Sequence, residues 1–218
     1  MRKTYLSNEQ ILQDYGALFI NLSKETELSQ EMAEYGYDAE KIAIGKKLYD
    51  KANEQYLKNK KEIADETAVA LDYRKKLEQL TQVYANHRKR AKVVFKDQDE
   101  VLKKLHIKGT PPRNRAELIK EIEIFYTEFN NDETLLNAVK VMKIQAEQVT
   151  TQLEQVEKVQ AAYASYLQEK GENQQATKDK NQAFAELEKW VRELYTVGKI
   201  ALEDKPQLLE SIAKFIRS

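Results

Sequence analysis

Ten cations crowd one short stretch of this chain: Arg88, Lys89, Arg90, Lys92, Lys96, Lys103, Lys104, Lys108, Arg113 and Arg115, against only Asp97, Asp99 and Glu100. Lysine and arginine at that density suit phosphate, RNA or an acidic protein surface. Arg88, Lys89, Arg90, Lys92, Lys104, Lys108 and Arg113 are therefore the candidate interaction patch. A competing expectation is a solvated face neutralised by the acids that follow, Glu117, Glu121, Glu123 and Glu128. Phe95 and Tyr126 lie close by but fit apolar stripes, so no base-stacking platform is legible.

Other chemistry is sparse. His87 and His106 are the only histidines. His87 sits on an apolar stripe beside Tyr84 and Ala91, which predicts a core histidine rather than a general base. His106 falls at a helix end, where a basic side chain meets terminal carbonyls. Carboxylate-bridged metal sites in helical bundles use Glu-x-x-His, but Tyr84 and Lys103 occupy the positions three before the two histidines. Glu66 is the one acid on its helix stripe, and one acid makes no dinuclear site. The six glycines are scattered with no Gly-x-Gly, which argues against a phosphate loop. A Ser-His-acid triad would have to recruit one of the two histidines, and no nucleophile-elbow pattern occurs. No catalytic residue, cofactor site or metal site is expected.

The elements that must position the basic stretch are helices. Charged residues make up 33 % of the 218, and Gly plus Pro total nine. Lys plus Arg and Asp plus Glu balance at 36 each, which removes any global field toward nucleic acid. Cysteine is absent, excluding thiolate chemistry and disulfides. With a polar opening and no apolar run of membrane-spanning length, a soluble cytoplasmic protein is the expectation.

The chain also repeats itself. Residues 91–102 reappear in outline as 198–209, an offset of 107. Leu77, Leu80, Tyr84, His87, Ala91 and Val94 correspond to Phe184, Leu187, Val191, Leu194, Gly198 and Ala201. Capping signals coincide as well: Ser7 with Gln10 and Asn114 with Glu117, then Asp97 with Glu100 and Asp204 with Gln207. The fold expected is all-α, a tandem duplication of a helical-bundle unit with three long helices and one short one, spanning 1–109 and 110–218. The boundary is Gly109-Thr110-Pro111-Pro112, where Gly ends a helix and the prolines forbid its continuation.

Within each half the breaks are less sharply marked. Leu135, Met142, Val149, Val156 and Tyr163, with Val139, Ala146, Leu153 and Leu167 at the complementary positions, predict one helix over 132–170, interrupted in pattern only by Gln160. Gly171 predicts the turn that ends it. In the first half, turn chemistry places the first break at Gly36, whereas the gap-free alignment of the two halves places it near Ser23 to Glu27. A second turn near Asn59-Lys60-Lys61 has no Gly or Pro, leaving a continuous helix open. Gly16 and Gly45, inside helices, mark close helix approach, and Trp190 is structural. Tyr49, Tyr56, Tyr73, Tyr84 and Tyr163 line the stripes as core with wet hydroxyls or as a binding surface.

The function this predicts is a non-enzymatic structural or protein-interaction module. Long helical faces, or the groove between its two units, would meet a protein partner or another copy of the chain. The alternative is polyanion or nucleic-acid binding through 88–115. No membrane role is expected.

Overall fold

Seven residues into the chain, the Ser7 hydroxyl accepts the Gln10 N–H at 3.3 Å while the Gln10 side chain accepts the Ser7 N–H at 2.9 Å. This capping box opens the first of eight helices in the computed structural model, which describes residues 6–213. The polar opening residues 1–5 lie outside the described part. The helices are α1 (Asn8–Lys24), α2 (Thr26–Glu34), α3 (Ala39–Val94), α4 (Asp99–Lys104), α5 (Arg115–Asn131), α6 (Glu133–Lys140), α7 (Ala146–Ala201) and α8 (Pro206–Ala213). The protein is all-helical, with no strand among the described residues. No helix among them is long and apolar enough to cross a membrane.

The starts of α5 to α8 each fall 107 residues after those of α1 to α4. Asn114 caps α5 by accepting the Ala116 and Glu117 N–H groups, which is the cap half of the box its spacing predicted; Glu117 does not return a bond to the Asn114 N–H. Asp132 caps α6 in the same way through Thr134 and Leu135. The cap expected at Asp97 is displaced by one residue: Gln98 occupies the cap of α4 and makes no side-chain bond there.

Several expected boundaries move. Both candidates for the first break are realised, one at Glu25 between α1 and α2 and one at Gly36 before α3. The helix expected over 132–170 is cut by a turn at 141–145, so Met142 leaves the stripe. The turns expected near Asn59 and Gly171 do not form. Instead α3 and α7 run unbroken for 56 residues each, where three long helices per half were expected. A glycine inside a helix costs only about 1 kcal/mol relative to alanine, too little to stop one without a proline or a left-handed residue. Asn59 is buried and donates to Thr177 Oγ1 at 2.9 Å and Asn173 Oδ1 at 3.3 Å. That pairing satisfies the polar groups between two continuous helices and fixes their register.

The turn before each long helix uses a left-handed residue. Gly36 has φ of +86° and Lys143, 107 positions later, has φ of +58°. A side chain in that region costs roughly 1–2 kcal/mol, which glycine avoids. Lys143→Gly is therefore expected to stabilise the protein by about 1 kcal/mol, raising the thermal midpoint by roughly 2–4 °C. A midpoint at or below the parent value in a thermal melt would refute it.

Two compact units emerge. Unit 1 comprises the described parts of Met1–Ala64 and Gly171–Ser218, and unit 2 comprises Asp65–Lys170. Each has its own core. In unit 1, Leu18, Phe19, Leu28 and Met32 pack with Phe184, Leu187, Trp190 and Leu194. In unit 2, Leu80, Tyr84 and Phe95 pack with Ile122, Phe125, Tyr126 and Phe129. The stripes read from sequence, Leu80 to Ala91 and Phe184 to Gly198, are the buried faces of these cores.

Candidate functional site

Consecutive residues on a helix point about 100° apart, and the basic run is sorted by that geometry. Arg88 turns inward and is only 9 % exposed. Its Nε donates to Glu121 Oε1 at 3.3 Å, and its Nη2 donates to the carbonyls of Ile107 at 3.1 Å and Gly109 at 3.0 Å. Lys92 Nζ reaches the same Gly109 carbonyl at 2.7 Å. These bonds pin the segment that leaves α4, where His106 and Gly109 both take positive φ, onto the side of α3. Tyr84 adds a hydroxyl that donates to Glu121. Burial, followed by the Glu121 hydrogen bond, pushes the Tyr84 hydroxyl well above the ordinary tyrosine range.

His87 is 5 % exposed, its Nδ1 lying 3.0 Å from the Tyr126 hydroxyl. Burial, then the nearby Arg90 charge, pushes its pKa below the ordinary histidine value. The core position inferred from its alignment with Leu194 is where the side chain sits. His106 is exposed at the end of α4.

The remaining candidates divide. Arg90 Nη1 donates to the Met142 carbonyl at 3.4 Å and closes the turn after α6. Lys104 bridges Glu128 at 3.2 Å and Asp132 at 2.9 Å. Lys108 pairs with Asp99 at 2.7 Å, and that ammonium, ahead of Lys103, holds the Asp99 carboxyl below the usual range. Lys89 and Arg113 are exposed and engage in no hydrogen bond or ion pair among the described residues. The seven residues thus do not form one free basic face. Five are tied to carbonyls or carboxylates.

What the fold does assemble is a groove of about 600 Å³ within unit 2. One wall is the α3 face carrying Thr81, Ala85, Lys89, Lys92 and Val93, continued by Lys96. Pro111, Pro112 and Leu118 form the other. Lys89, Lys92 and Lys96 recur at i, i+3 and i+7, a helical spacing that sequence alone could have isolated as one edge. The contribution of the prolines and Leu118 had no such signal, because it depends on Arg88 drawing the segment after α4 against α3. Val93, in the groove, is 53 % exposed. The lining holds no carboxylate and no imidazole.

The positions 107 residues later have a different character. Lys89, Lys92 and Lys96 become Thr196, Lys199 and Glu203, and Thr81 becomes Glu188. One face is purely cationic and the other mixed. A second concavity in unit 2, of about 640 Å³, gathers Tyr73, Tyr163 and Tyr166 with Arg115 and Gln160. Tyr73 and Tyr166 lie parallel with centroids 6.2 Å apart. Neither a family model, nor a curated protein, nor a solved structure matches this chain.

Proposed function

We propose that this chain is a non-enzymatic protein-interaction module, built by tandem duplication of one helical unit along 1–109 and 110–218, and that it binds a protein partner through the lysine-edged groove of unit 2. The carrying observation is the departure of that groove from its counterpart: a cationic edge over an exposed apolar floor, where the matching face has mixed charge. The common offset of the helix starts supports the duplication, as do the left-handed residues at Gly36 and Lys143. With two similar halves, a face that differs between them is where specialisation falls. The lining offers cations, apolar groups and a threonine, which suits recognition more than proton transfer.

The polyanion reading is weaker. Phosphate recognition favours the bidentate arginine fork, and Arg88 already spends its donors on Glu121 and two carbonyls.

Val93 and its counterpart Ile200 are 53 % and 59 % exposed, which makes them a matched pair for photo-crosslinking in the native cell. A photoreactive residue at 93 is expected to give a discrete crosslinked protein band, and one at 200 is not. Equal bands at both positions, or none at 93, would remove the groove as the interaction site.

A further inference from the structure

We propose that the groove takes an acidic amphipathic helix of a partner protein, a proposal that rests on the groove being the interaction site. Three features of its lining select that occupant.

The first is charge. Lys89 is unpaired among the described residues and exposed, Lys96 is exposed with only Asp97 at 3.8 Å, and half-buried Lys92 shares the edge with its ammonium held on the Gly109 carbonyl. The groove lining itself holds no acid. Ammonium groups are compact point charges that pair with carboxylates without demanding a planar fork. The second is the absence of any ring surface for a base: Tyr84 is the one aromatic in the lining, and it is 1 % exposed with its hydroxyl on Glu121. Single-stranded nucleic acid draws much of its affinity from stacking on exposed rings, and here there is none.

The third feature is the backbone. An extended peptide gains affinity by adding main-chain hydrogen bonds to an exposed strand edge. This groove is walled by α3, whose amides are spent within the helix, and by Pro111 and Pro112, which have no N–H to give. A segment entering it must satisfy its own backbone groups, because buried unpaired amides are costly. A helix does so. Lys89 and Lys96 then meet carboxylates two turns apart, at i and i+7, while its apolar stripe covers Val93, Ala85, Leu118 and the prolines.

The test is fluorescence anisotropy on the full chain with three labelled probes. One is a 16-residue synthetic peptide with leucines on one helical face and glutamates flanking them. The second is a scrambled peptide of the same composition, and the third is oligouridylate. The variant is Lys89→Thr/Lys96→Glu, which installs the residues found 107 positions later and so is compatible with a helix of this kind; an unchanged melting curve establishes that it folds. The patterned peptide is expected to bind, to gain helicity by circular dichroism, and to weaken as salt rises. The variant is expected to bind it about tenfold less tightly, through the loss of two exposed ion pairs and the like charge introduced at position 96. Equal binding of the scrambled peptide, equal or tighter binding of oligouridylate, or an unaffected variant would each overturn the proposal. A crosslink at Val93 with no binding of the patterned peptide overturns the helical occupant while leaving the groove as an interaction site. Failure of both removes the site itself.

Discussion

Replacing Arg88 by methionine is expected to cost about 3–5 kcal/mol, the usual penalty for removing one member of a buried ion pair. Three acceptors depend on this guanidinium: Glu121 Oε1 and the carbonyls of Ile107 and Gly109. Glu121 is 8 % exposed, so its charge would be left buried with only the Tyr84 hydroxyl as partner. The residual stabilisation cannot come from Lys92, which reaches Gly109 but not the carboxylate. Adding Glu121→Leu to Arg88→Met is expected to recover part of the loss, since replacing both partners by apolar groups removes the unpaired charge. Urea unfolding of the two single variants and the double variant gives the coupling directly. Hydrogen exchange should show the loss of protection falling first on 105–118 in unit 2. An Arg88→Met protein within about 1 kcal/mol of the parent would mean that the ion pair is not what holds this segment.

The same residue shows why the groove was only half legible. The sequence places Arg88 among ten cations and nothing in composition separates it from Lys89. Their fates diverge because one turns toward Glu121, an acid 33 residues away, and the other toward solvent. Helical spacing does isolate Lys89, Lys92 and Lys96. It says nothing of Pro111, Pro112 and Leu118, which reach the groove only through tertiary bonds. His87 was legible for a different reason, because its counterpart Leu194 marks the position as core.

Two helix starts were legible because caps are local chemistry: Ser7 and Asn114 each satisfy amides within three residues. The long helices were not, since glycine carries two opposite signals. Gly36 and Gly109 adopt positive φ and end segments, whereas Gly171 remains inside α7. Lys143, with no glycine to announce it, breaks the stripe at 141–145 by taking the left-handed conformation itself. The two cores were hidden for a related reason. An apolar stripe reveals which face of a helix is buried but not which helix covers it, so a helix contributing to both units reads the same as one confined to a single bundle.

Gly45 provides the second large effect, and the fold makes it specific. A Cβ at this position would lie 2.3, 2.4 and 2.6 Å from Cζ2, Cη2 and Cε2 of Trp190. No real carbon contact survives below about 3 Å, so the indole or the helix must move. The indole has little freedom: Phe19 stacks on it with centroids 5.5 Å apart, and Tyr37 meets it edge-on at 5.7 Å. Gly45→Ala is therefore expected to cost about 3 kcal/mol, at the upper end of overpacking penalties, despite alanine's better helix propensity. For a chain of this size that lowers the thermal midpoint by roughly 6–12 °C. Two other glycines serve as controls. At Gly198 the nearest atom is the terminal Cδ1 of Ile212 at 2.8 Å, the end of a flexible chain that can rotate away, so alanine there costs much less. At Gly171 nothing lies within 4 Å, and alanine is expected to stabilise by about 1 kcal/mol through propensity alone. Trp190 is the only tryptophan and 5 % exposed, so its emission reports the collision directly. A red shift is expected in Gly45→Ala and none in Gly171→Ala. If Gly45→Ala melts with the parent and its emission is unchanged, the close approach of α3 to the Trp190 ring is wrong, and the packing of unit 1 around it must be redrawn.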